Sequence, residues 1–171
     1  MTAIYKRELK AYMTSMIGPL FIAALTAIAG VYFVVYNVRI GYPYFSYVLG
    51  GLLFIFLLIV PVLTMRSLAD ERKSKTDQLL LTSPVSVGKI IMGKYFAMIT
   101  IMAIPVLIFC LCPLVIKTGG TAYLKADYAS LFAFFLMGCA YISIGMFISS
   151  LTESQIIAAV GTFGVLLFFY L

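Results

Sequence analysis

The chain has 171 residues, of which 64% are hydrophobic and 11% charged, with a net charge of +6 and no histidine. Soluble domains carry about 25% charged residues, so the composition excludes a water-soluble globular protein. The absence of histidine excludes His-based catalytic triads and His-ligated metal sites.

Residues 1–15 read as a basic amphipathic helix. Ile4, Tyr5, Leu9, Tyr12, Met13 and Met16 fall on one helical face, and Lys6, Arg7, Lys10 and Thr14 on the other. A helix of this kind lies in the membrane interface with its cations toward anionic headgroups. A secretory signal peptide shares the basic start, and Ala27-Ile28-Ala29 resembles a cleavage pattern, but the apolar run continues past it to Tyr36.

Five long apolar stretches follow, predicted as spans at 17–36, 47–65, 90–116, 128–150 and 156–171, the last one short for the roughly 20 residues that a bilayer requires. Their apolar runs are continuous rather than alternating, which favours helices. Backbone polar groups must be satisfied internally in lipid. The fold class is therefore all-α: a polytopic transmembrane helix bundle, taken as a single domain over 1–171. Gly18-Pro19 opens the first span, where proline costs no hydrogen bond. Gly41 and Pro43 mark the short link after it, and Pro61 kinks the end of the second span unless neighbours satisfy the freed carbonyl. In the fourth span, Gly138, Gly145 and Ser149 form a small-residue face that admits close approach of another helix. Thr152-Glu153-Ser154-Gln155 reads as a capping box opening the fifth span. Cys110, Cys112 and Cys139 lie inside predicted spans and read as small buried apolar residues.

The one sizeable polar segment is 66–89, which carries Arg66, Asp70, Glu71, Arg72, Lys73, Lys75, Asp77 and Lys89. Within it, Thr76 can cap a short helix with Asp77 in its first turn and Leu79, Leu80 and Leu81 on it. So short a helix does not stand alone in water. It either tucks beneath its own bundle or fits a partner. Just beyond, Gly88 to Lys94 has the glycine and lysine spacing of a phosphate-binding loop. Tyr95 stands where Ser or Thr would hold magnesium, and no strand precedes it, so nucleotide binding here is rejected.

Lys6, Arg7, Lys10, Arg66, Arg72, Lys73, Lys75, Lys89 and Lys94 fall on one side of this topology, and Arg39, Lys117 and Lys125 on the other. The positive-inside rule places the first set, with the amino terminus, in the cytoplasm. Orientation accounts for the basic charge, so nucleic acid is not implied as a partner. The acids Asp70, Glu71, Asp77, Asp127 and Glu153 are all placed in links or at helix ends. Ion-driven transport ordinarily needs an ionisable group at depth, and intramembrane catalysis needs an acid or base. Neither is expected, so energy for any transport must enter from outside the membrane. A non-transporting membrane scaffold or anchor is the alternative class.

Pro61-Val62-Leu63-Thr64-Met65-Arg66, Asp70-Glu71-Arg72, 76–84 (TDQLLLTSP), Gly93-Lys94-Tyr95 and 149–155 (SSLTESQ) together resemble the membrane subunit of type-2 ATP-binding-cassette (ABC) exporters. The nearest branch is that of permeases encoded apart from their ATPase, including those of bacterial gliding and copper-site maturation. The likeness covers nearly the whole chain, and its specific part is the loop. It implies a permease subunit in a bacterial plasma membrane that pairs with a second permease subunit, alike or different, and docks on an ABC ATPase subunit. The short helix then becomes a coupling helix seated in the ATPase: Asp77, Gln78, Leu79 and Leu80 in contact, Arg72 and Lys73 flanking, Thr76 capping. No cofactor is implied on this chain; ATP and magnesium belong to the partner, so the chain is not an enzyme by itself. Two departures stand out. Lys75 replaces the family's glycine before the loop threonine, and five spans appear where the family has six, so a carboxyl-terminal truncation is expected. The spans, rich in Phe, Tyr, Leu and Ile, tilt toward an apolar or amphipathic cargo.

Overall fold

The structure is a computed structural model and describes residues 2–67, 87–119 and 123–171. All described secondary structure is helical: α1 (Thr2–Thr14), α2 (Ile17–Phe33), a π-helical continuation (Val34–Arg39), α3 (Ser46–Thr64), α4 (Val87–Phe109), α5 (Cys112–Gly119), α6 (Leu124–Leu151) and α7 (Gln155–Tyr170). Among the described residues, four stretches are long and apolar enough to cross a membrane: Ile17–Arg39, Ser46–Thr64, Val87–Thr118 and Leu124–Leu151. The fifth expected span is apolar but has only 16 residues. At 1.5 Å per residue it reaches about 24 Å, against a hydrocarbon core of about 30 Å.

Helix α3 is the central element. It packs on α2, α6 and α7, and α4 packs on α1, α2 and α6. Leu52, Phe56, Leu57, Val60 and Leu63 are fully buried along α3. The Phe56 ring lies 4.7 Å from Phe134 and 6.0 Å from Tyr141, both on α6. The small-residue face of α6 provides the close approach expected of it. A Cβ at Gly138 would collide with Met102 and come within 2.9 Å of Phe56, and one at Gly145 would collide with the Thr64 side chain. The Ser149 hydroxyl, one turn on, donates to the Met65 carbonyl at 3.4 Å.

Helix α1 lies against α4, and α1 turns into α2 over Gly18, where a Cβ would lie 2.5 Å from the Tyr12 carbonyl oxygen. Tyr12 is buried, whereas Met13 is exposed and Met16 lies in the turn beyond the helix, 89% exposed. In the link after the first span, Gly41 adopts a φ of 80°, the left-handed conformation that glycine adopts without steric cost.

The third expected span, 90–116, is not one continuous helix. It breaks at Cys110 and Leu111, and Pro113 falls in the first turn of α5. A proline ring clashes with the carbonyl four residues back, here that of Phe109, where α4 ends. Pro105, by contrast, stays inside α4. The expected capping box also fails. The cap of α7 is Ser154, with no side-chain cap bond, and the Thr152 hydroxyl meets the Ser154 carbonyl instead.

Candidate functional site: the polar junction at the α1 end

The expected coupling residues Arg72, Lys73, Thr76, Asp77, Gln78, Leu79 and Leu80 lie outside the described residues. What the structure places is the pair of roots from which that segment hangs: the end of α3 through Ser67, and the start of α4 at Val87. Both roots, with α1, converge on Lys94.

Lys94 sits two turns into α4 and is 2% exposed. An ammonium so buried needs partners, because desolvation strongly disfavours the charge. Its Nζ donates to the Ser67 carbonyl at 3.0 Å and lies 3.6 Å from Glu8 Oε2 on α1. One side chain therefore ties α1, the end of α3 and the start of α4. Counting it among the interfacial cations misses this: Lys94 is an internal link, not a headgroup contact. Gly93, beside it, lets α1 sit close, since a Cβ there would be 3.0 Å from Ile4 Cγ2. The Tyr12 hydroxyl reaches the Leu63 carbonyl at 3.5 Å, and Tyr5 OH and Thr100 Oγ1 are 2.9 Å apart. A cleft of about 160 Å³ opens at this junction, with Arg7, Glu8, Ser15, Arg66, Ser67 and Lys94 in its walls.

The segment from Gly88 to Lys94 lies wholly within α4. A phosphate-binding loop needs free backbone amides at a strand-to-helix turn; this stretch is helix, and the Lys94 ammonium is engaged with Ser67 and Glu8.

At the opposite end of the bundle, Asp127 was expected in a link or at a helix end. It does stand in the first turn of α6, but it is fully buried. Its Oδ1 accepts the Phe45 backbone N–H at 2.8 Å. Phe45 is the cap residue of α3 and offers no cap of its own. The first amides of a helix lack partners within it, and a carboxylate there is favoured by the helix dipole. Asp127 thus caps α3 from another helix. Beside it Tyr44 and Tyr123 stack at 4.8 Å. The three cysteines are free and half-buried. Among the described residues no cluster of three or more Cys, Asp or Glu could hold a metal ion.

A model of the ABC-2 family transporter protein matches residues 3–171. The chain belongs to this family. No match was found among curated proteins or among solved structures. As an ABC-2 protein it is a multi-pass membrane permease component of an ABC transporter, and membership implies association with an ABC ATPase. The polar junction lies where the ABC-2 bundle meets the two roots of its one long polar segment.

Proposed function

We propose that this chain is the membrane subunit of an ATP-driven exporter energised by a separate ATPase subunit. On this reading two permease subunits pair in a bacterial plasma membrane, with the amino terminus and the 68–86 segment cytoplasmic. ATP and magnesium stay with the ATPase, and the cargo is apolar or amphipathic. Asp77, Gln78, Leu79 and Leu80 seat in a cleft of the ATPase, Arg72 and Lys73 flank them, and Thr76 caps their helix.

The observation that carries the coupling role is the Lys94 junction. Ser67 precedes the segment and Lys94 follows it, and the two are bonded to each other at 3.0 Å and paired with α1 through Glu8. A displacement of the segment by an ATPase is delivered to α3, α4 and α1 together. Sidedness is supported by charge: Lys6, Arg7, Lys10, Arg66, Lys89 and Lys94 lie at the α1 end, against Arg39, Lys117 and Lys125 at the other.

The test is the double change Leu79→Ala plus Leu80→Ala. Truncating central interface anchors costs about 2 kcal/mol or more each, which is more than about tenfold in affinity per residue. Capture of the ATPase should fall by at least that much while the melting temperature of the isolated permease stays within a degree or two of wild type, a shift of about ΔΔG/ΔSm. A large drop in melting temperature with capture unchanged would mean that the leucines pack beneath the bundle, and the coupling assignment would fall.

A further inference from the structure

Helices α4 and α6 touch at depth and part toward the α1 end. At Gly138 a Cβ would collide with Met102 of α4. Nearer the α1 end, the Tyr95 hydroxyl donates to the Cys139 carbonyl at 3.2 Å. Beyond that tie lies an open groove of about 370 Å³, walled by Met92 and Tyr95 of α4 and by Ser143, Met146, Phe147 and Ser150 of α6. Its hydroxyls have no proton to spare: Tyr95 and Ser143 both donate to the Cys139 carbonyl, and Ser150 donates to that of Phe147. The rest of the wall is apolar, with two methionines whose unbranched side chains adapt to what they meet. Ligand pockets have this kind of lining and volumes of about 300–1,000 Å³. At the small end of that range, the groove suits one hydrocarbon chain rather than the pair of a phospholipid.

We propose that this groove binds a single-chain anionic amphiphile, a fatty acid in chemical class. The inference rests on the amphipathic-cargo reading above and gives that cargo a place to enter. Lys89 supplies the charge. It stands one turn before Met92 on α4, and residues three apart on a helix are neighbours. It is exposed and forms no ion pair with a described acid. Glu153, the acid nearest in sequence to the α6 wall, lies past the end of α6 in the turn to α7. A carboxylate at Lys89 with its chain running toward Tyr95 has the polarity of a lipid in the adjoining leaflet. The α4 wall is also the helix that Lys94, next to Tyr95, ties to Ser67 and Glu8. A displacement of α4 on the proposed coupling role therefore changes the width of the groove.

The experiment uses the full chain in phosphatidylcholine nanodiscs, with myristic acid bearing a diazirine near its chain end as the probe. Labelled residues are mapped by mass spectrometry at rising probe concentration, without ATP or ATPase. Labelling of the peptides holding Met92 and Met146 should saturate and be displaced by laurate, although the two-chain lipid of the disc is in large excess. Lys89→Gln should weaken binding of the acid by about fivefold, the worth of one interfacial lysine, and leave the matching alcohol probe unchanged. Glu153→Gln should not weaken it. Ser143→Leu adds bulk to the groove at an exposed position and should abolish saturable labelling, whereas Ala129→Leu, exposed at the other end of α6, should retain it. Labelling that never saturates and spreads over all lipid-facing helices would show ordinary lipid contact and overturn the site. Equal loss of acid and alcohol in Lys89→Gln, or no loss of either, would overturn the anionic head. No ATPase enters the measurement, so failure here leaves the coupling role standing, and failure of ATPase capture leaves the groove standing.

Discussion

At the α1 end of the bundle a buried lysine reaches across three elements; at the opposite end a buried carboxylate caps a helix that is not its own. Both groups are almost fully withdrawn from solvent, and both join segments far apart in the chain: Lys94 to Ser67 and Glu8, Asp127 to Phe45. The difference lies in reach and partner. Lys94 holds its partners at the tip of a four-carbon stem with several rotatable bonds, beside an open cleft. Asp127 is short, and its bonding oxygen meets a backbone amide fixed by α3. On the coupling role proposed above, a long flexible tether suits a junction that transmits a displacement. On the same proposal, a short cap suits an end that only has to be held in place.

The largest expected effect is at Lys94. Lys94→Met keeps the bulk of the stem and removes the ammonium, leaving Glu8 and the Ser67 carbonyl without it. Breaking a buried ion pair by deleting one partner costs about 3–5 kcal/mol, and Glu8, at 14% exposure, places this case near the lower bound. Adding Glu8→Gln should recover part of the loss, because the stranded charge goes with it. Amides of α1 should exchange faster in hydrogen–deuterium measurements on the single variant. Unchanged exchange in α1 would show that Lys94 does not hold that helix.

A smaller loss is expected at the other end. Asp127→Ala leaves the buried Phe45 N–H without an acceptor, at a cost of about 2 kcal/mol. Asp127→Asn keeps an acceptor oxygen in reach and should cost about half as much, as cap substitutions of this kind do. The contrast with Lys94 sharpens in where the loosening appears: exchange should rise in the first turn of α3 and not in α1. Denaturant midpoints of the two variants, measured in the same micelles, check the order. Equal losses for Ala and Asn would remove the capping role.

The spans were legible because apolar runs between charges are long, and the small face of α6 because Gly138, Gly145 and Ser149 recur at helical spacing. The two junctions were not legible, for one reason. Hydropathy treats every charge as the edge of a span, so Lys94 counted as one interfacial cation among many and Asp127 as a helix-end residue. Nothing local distinguishes a lysine in water from one folded back on a carbonyl 27 positions away in sequence. Glu8 carries no signal of its own, lying among Lys6, Arg7 and Lys10. The break between α4 and α5 was half legible: Pro105 and Pro113 both stand in the predicted span, and only tertiary packing decides which one the helix tolerates. The apparent capping box at 152–155 matched in sequence, but the extended backbone at Thr152 and Ser154 starts α7 later.

The smallest effect tests whether the ion pair, rather than neutral contacts, dominates the seating of α1. Tyr5 OH and Thr100 Oγ1 lie 2.9 Å apart, and Thr100 Oγ1 also lies 2.8 Å from the Phe96 carbonyl. A hydroxyl has one proton to give. Thr100 gives its own to the carbonyl, which can only accept, so Tyr5 is the donor in the first bond. Tyr5→Phe therefore deletes one neutral hydrogen bond while Thr100 keeps its donor bond intact, and no buried donor is stranded. The loss should be about 0.5–1 kcal/mol, the low part of the range for such bonds, with exchange of the α1 amides barely altered. A Tyr5→Phe variant as unstable as Lys94→Met would mean that the α1 seat depends on its neutral contacts, and the contrast drawn between the two ends would fail at the lysine.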